Sequence, residues 1–155
     1  MSFDWSTYID LARNLNALPE HEQAAQRSAV SRAYYAVFHE ASGTLKTNCI
    51  NTYPKDQRKS HDKVWNVYKG SSKRDCRRIG NKAARLMEDR HDADYDAARV
   101  FNLGEVATFI TDVESLVTAI RVPLNLPEGS VGPFPAPVVP AWLRVITAVK
   151  RTLGW

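Results

Sequence analysis

The chain has 155 residues, 44% apolar and 25% charged, the profile of one soluble globular domain with one core. No apolar run approaches the roughly 18 residues that a membrane-spanning helix requires, no leader pattern opens the chain, and Cys49 and Cys76 form no CxxC pair, so a reducing cytoplasm is the expected compartment. A net charge of +4 and a pI near 9.2 lean toward an anionic partner.

Trp5, Tyr8, Ile9, Ala12 and Leu15 fall at helical spacing before Pro19, which predicts a first amphipathic helix. A second is expected from about residue 20 to 45, with Gly43 in a frayed end. Its stretch SAVSRAYYAVFHEA (28–41) carries no Gly or Pro, and Ser31, Tyr35, Phe38 and Ser42 recur at three- and four-residue steps. Bulky rings interleaved with Ala33, Ala36 and Ala41 mark it as the central helix, the rings filling space and the alanines admitting neighbours. Residues 48–59 are polar, contain Pro54 and read as a loop. Ser60 is placed to cap a short helix containing Val64, Trp65, Val67 and Tyr68, and Gly70 to Ser72 read as a turn.

A basic helix is predicted from Lys73 to Arg90, with Ile79, Ala83, Leu86 and Met87 as its inner stripe and Gly80 as a weak point. Between Lys69 and Arg90, eight Lys and Arg face three acids, an excess of +5 that accounts for the net charge of the chain. The acidic, turn-prone HDADYD (91–96) is expected to end that helix. Asn102 with Glu105 forms a candidate capping box for a last helix, in which Val106, Phe109, Ile110, Val113, Val117 and Ile120 keep helical spacing up to Pro123.

Six of the eight prolines fall between Pro123 and Pro140, so residues 122–155 read as an extended linker followed by an amphipathic helix. That helix has the apolar stripe Trp142, Val145, Ile146, Val149 and Leu153, with the cations Arg144, Lys150 and Arg151. The chain is thus expected to be all-α: a helical bundle over 1–121 and a tail over 122–155.

The four histidines are scattered without metal-ligand spacing and neither GxxxxGK[ST] nor GxGxxG occurs, so no metal site or nucleotide-cofactor loop is expected. Two constellations remain. In the first, Arg90, His91, Asp94 and Tyr95 group a permanent cation, a histidine that titrates near neutrality and a phenol, donors suited to a phosphate. The structural alternative is an Arg90–Asp94 ion pair at i, i+4 with Tyr95 packed into the bundle. In the second, Arg32 and His39 stand seven residues apart on nearly one helix face. The alternative there is a core histidine and an arginine turned to solvent or to an acidic neighbour. Lys73, Arg74, Arg77, Arg78, Lys82 and Arg85 form a candidate RNA-binding face, or else a solvated surface.

SRAYYAVFHEA (31–41), SHDKV (60–64) and RHDADYD (90–96), in that order, resemble the HEPN superfamily, in particular its small helical proteins that pair an SxAYYAxFH helix with a later RxxADYD segment. The resemblance spans roughly residues 3 to 121. It implies a four- to five-helix up-and-down bundle that forms a homodimer, often a toxin or defence ribonuclease encoded beside a nucleotidyltransferase-type partner that acts as antitoxin. Active members carry an Arg followed after four to six residues by a His, with both subunits contributing to one cleft. Arg90 matches that arginine, and Tyr95 stands where four intervening residues would put the histidine. Arg85 with His91 and Arg32 with His39 also satisfy the spacing. The implied activity is metal-independent endoribonuclease cleavage, in which the 2′-hydroxyl attacks the adjacent phosphate and leaves a 2′,3′-cyclic end. Arg90 would stabilise the phosphate charge, and His91 or Tyr95 would move the proton. The alternative is a HEPN-like module that binds RNA, a nucleotide or a protein without cutting.

Overall fold

The computed structural model describes residues 3–18, 22–47 and 60–122, with the backbone alone at Ser60. They form five α-helices and no strand: α1 (Thr7–Asn16), α2 (Glu22–Thr47), α3 (Ser60–Lys69), α4 (Arg74–Tyr95) and α5 (Leu103–Arg121). The expected loop over 48–59, the proline-rich linker and the amphipathic tail over 142–153 lie outside the described residues.

The core forms around α2, which touches each of the other four helices. Its alanines Ala29, Ala33, Ala36 and Ala41 are essentially inaccessible, as are Val30, Tyr34 and Val37. A helix buried on several faces must be apolar or small on each of them, as the ring-and-alanine sequence of this segment is. The helix runs through Gly43 to Thr47 instead of fraying there. Gly43 stands in open space, so its cost is only the modest propensity penalty, which packing of Leu45 offsets.

Gly80 has a different role from the weak point its propensity suggests. A Cβ there would lie 2.7 Å from the Lys69 backbone nitrogen and 2.9 Å from Tyr68 Cβ. The missing side chain is what lets the α3 end and α4 approach this closely.

The larger departure is at the end of α4. The helix does not stop at Arg90 but continues through His91, Asp92, Ala93, Asp94 and Tyr95. Two tertiary contacts explain this. Ala93 is buried in the core, and Arg27 of α2 donates to the carbonyls of Ala93 at 2.9 Å and Asp96 at 2.8 Å, with a further bond to Arg99. A helix C-terminus leaves carbonyls without intrahelical donors. Here one guanidinium from another helix supplies them, so an acidic end without basic residues of its own is stable. At the next start, Asn102 accepts from the Glu105 backbone N–H at 2.9 Å as expected. The Glu105 carboxylate does not close the box and pairs with Arg99 instead.

Candidate functional site

The extension of α4 decides how its last residues can act. Side chains advance about 100° per residue on a helix, so Arg90 and His91 diverge, and Arg85 and His91 point to different sides. His91 lies in solvent, with its ring 4.9 Å from that of Tyr95. Tyr95 does not pack into the bundle; it is 68% exposed. Arg90 instead turns inward, and its side chain is only 16% exposed.

There the two constellations meet, on a residue that sequence reasoning used only as packing: Tyr35. Arg90 Nη2 donates to the Tyr35 hydroxyl at 2.8 Å, and its guanidinium carbon lies 5.1 Å from the ring centre. Arg32, one turn earlier on α2, places its guanidinium 5.5 Å from the same ring and 5.6 Å from that of Tyr8. His39, one turn later, stacks against Tyr35 at 6.0 Å, and His61 of α3 meets its edge at 5.8 Å. Two arginines and two histidines from three helices thus surround one phenol. Residues 32, 35 and 39 come together by helical spacing, whereas Arg90 and His61 arrive through the packing of α4 and α3 against α2.

Arg90 also pairs with Asp94, Nε standing 2.8 Å from Oδ2. The N–H does not point at that oxygen, so the contact is an ion pair without a hydrogen bond. Arg90 Nε is therefore a buried donor that no described group accepts from. Arg32 has cation–π partners and no carboxylate within ion-pair reach among the described residues. A site with two guanidiniums, one carboxylate and an unmet donor is suited to an oxyanion.

The histidines are held neutral. Burial first, then the charge of Arg90, pushes His61 down to about 4. Burial, with Lys46 adding to it, lowers His39, whose ring lies flat on Trp5 at 3.6 Å. The proton on His61 can be assigned from its neighbours. Tyr34 is fully buried; its hydroxyl accepts from Trp65 Nε1 at 3.0 Å and stands 2.9 Å from His61 Nδ1. A buried hydroxyl needs an acceptor for its own proton, and Nδ1 is the one beside it. Tyr34 therefore donates to Nδ1, and the neutral ring carries its proton on Nε2.

The basic face is a separate feature. Arg74, Arg78 and Arg85 lie within a narrow arc of α4, and Arg90 points roughly opposite to them. Part of the positive charge is already engaged. Arg77 donates to the Ser71 and Ser72 carbonyls at 2.9 and 2.6 Å, Arg78 lies 3.6 Å from Asp75, and Lys82 pairs with Asp112 of α5 at 2.7 Å. Arg74 and Arg85 are exposed, and Lys73 is half-buried just before the helix.

Sequence reasoning missed Tyr35, Tyr34 and His61 as members of the site. The signal for Tyr35 was its place midway between Arg32 and His39. His61 stands in the SHDKV segment that carries the resemblance, but nothing in the spacing of α3 points to Tyr34, 27 residues away in sequence. Among the described residues, no group of three or more His, Cys, Asp or Glu is arranged to hold a metal ion, and no helix is long and apolar enough to cross a membrane. Comparison with family models, curated proteins and solved structures finds no match to this chain.

Proposed function

We propose that this chain is a HEPN-like, metal-independent endoribonuclease of toxin or defence type, which cuts RNA by attack of a 2′-hydroxyl in a cleft that a homodimer completes. The observation that carries this reading is the convergence of Arg90, Arg32, His39 and His61 on Tyr35. The order of the motifs along the chain adds to it, as does an all-helical fold with α2 at its centre.

In this reading a phosphodiester displaces Asp94 from Arg90 and takes up the Nε–H that is otherwise unmet. Arg90 and Arg32 hold the non-bridging oxygens, and the neutral His61 donates its Nε2–H to them as charge accumulates. His39, neutral at physiological pH, accepts the 2′-hydroxyl proton as the 2′ oxygen bonds to phosphorus. The bond to the 5′ oxygen breaks, and His91 or Tyr95 at the exposed end of α4 delivers the proton to that leaving oxygen. The products are a 2′,3′-cyclic phosphate and a 5′-hydroxyl. The basic stripe lies on another face of α4, so it serves the strand outside the reacting phosphate, or in the dimer the strand held by the other copy.

The second reading, a binding module that does not cut, draws on Arg90 being 16% exposed and engaged by Asp94 and Tyr35. One experiment separates the two. Single-stranded RNA is incubated with the purified protein in excess EDTA, and the new ends are identified. Cleavage to cyclic phosphate ends, lost in Arg90→Ala while the circular-dichroism spectrum stays helical, supports the enzyme. Intact RNA with retained binding leaves the module. Light scattering that finds a monomer of 17.5 kDa at all micromolar concentrations removes the shared cleft.

A further inference from the structure

On a different face of the bundle, α2, α4 and α5 enclose a groove of about 270 Å³. Its floor is apolar, formed in part by Val30, Leu86 and Phe109, and Asp89, Glu105 and Asp112 stand on its rim. Two of these carboxylates are ion-paired, Asp112 with Lys82 of α4 and Glu105 with Arg99. Asp89 has no cation within ion-pair reach among the described residues. Burial raises its carboxyl above the ordinary value, with Arg99 pulling the other way and Glu105, Asp92 and Glu88 adding to the rise. The rim therefore carries one negative charge more than its cations balance, above a floor that would gain by losing water.

The volume is slightly below the roughly 300 Å³ at which small-molecule sites begin, so it suits one or two side chains better than a cofactor. An occupant must bring an apolar anchor and a cation within a few residues of each other. The chain has such a segment. From residue 142 to 153, Trp142, Val145, Ile146, Val149 and Leu153 are interleaved with Arg144, Lys150 and Arg151, with no Asp or Glu among them. We propose that this segment of the same chain docks in the groove, setting an apolar side chain on the Val30, Leu86 and Phe109 floor and a cation beside Asp89.

The chain can make this connection. Asp112 lies nine residues before the end of α5, about 14 Å along the helix. The stretch 122–141 can span up to about 60 Å at the 3.1 Å per residue of a proline-rich chain. A tether of this kind gives millimolar effective concentration, enough to hold a segment that would dock only weakly as a free peptide. This inference does not depend on the ribonuclease reading. It would give the chain a covered α4–α5 face and leave the Tyr35 site open.

The test is limited trypsin digestion of the full-length chain, with cleavage at Arg144, Lys150 and Arg151 followed by mass spectrometry. Docking makes these bonds slow to cut, because proteolysis follows the population of the released segment. Asp89→Lys should speed cleavage about tenfold, the effect of a tenfold shift in that population. Arg144→Glu combined with Asp89→Lys, read at the Lys150 and Arg151 bonds that remain, should restore protection in part. Thr108→Phe, which fills the groove mouth without changing charge, should also speed cleavage and guards against an Asp89 variant that fails to fold. Equal rates in wild type, Asp89→Lys and Thr108→Phe overturn the proposal. So does protection that grows with protein concentration, which would place the segment on a second copy.

Discussion

The His61 ring is a built-in acid sensitivity whose size follows from its surroundings. Its pKa is lowered to about 4 in the folded chain from an ordinary 6.5, by burial against Phe38 and by the nearby Arg90 charge. A histidine held neutral in this way binds its proton more readily when unfolded. The folded state is therefore not penalised above pH 6.5, loses stability as pH falls below it, and reaches the full loss near pH 4. A difference of roughly 2.5 pH units corresponds to about 3 kcal/mol. The ring is only half-buried, so solvent screening reduces this to about 1 to 2 kcal/mol. His61→Gln keeps an acceptor for the Tyr34 hydroxyl and does not titrate. Urea unfolding of the two proteins at pH 7 and pH 4 should show a fall in stability smaller by that amount in the variant, with His39 contributing equally to both. Equal falls would refute the neutral, Arg90-facing histidine and with it the assignment of its Nε2 proton.

Arg27→Ala strips the donor from the carbonyls at the α4 end, and charge-assisted bonds of this kind should make the loss about 2 to 3 kcal/mol by chemical denaturation. Arg27→Lys should recover little, since a single ammonium cannot reach several carbonyls at once. Gly80→Ala should destabilise by about 1 to 3 kcal/mol despite the better helix propensity of alanine, because its Cβ meets the Lys69 backbone, an outcome read from the thermal midpoint. If the chain binds RNA as proposed, replacing Arg74 and Arg85, the exposed arginines of the stripe without an ion-pair partner among the described residues, with Glu should weaken that binding and flatten its salt dependence, measured by titration at increasing salt. If the chain cuts RNA as proposed, Tyr35→Phe should leave the helical content unchanged and reduce cleavage, because it removes the hydroxyl that positions Arg90.

The five helices of the described residues and their order are legible in the sequence. Apolar residues at three- and four-residue steps leave a helix as the economical way to bury them, and the punctuation at Pro19, Gly70 and Asn102 falls where elements are separated. It also placed Arg32 and His39 on one face, because that relation lies within a single helix. Where α4 ends depends on contacts between helices, because the donors for its last carbonyls sit on Arg27, more than sixty residues earlier in the chain. The same holds for Gly80, whose propensity argues against a helix while the close approach of Lys69 requires it. It holds for the candidate site as well. Arg90 points inward and meets Tyr35 because Ala93 and Leu86 seat α4 against the core, and His61 joins them because α3 packs beside α2. Local spacing carries information over one or two turns, and contacts between elements distant in the chain are set by how their faces pack.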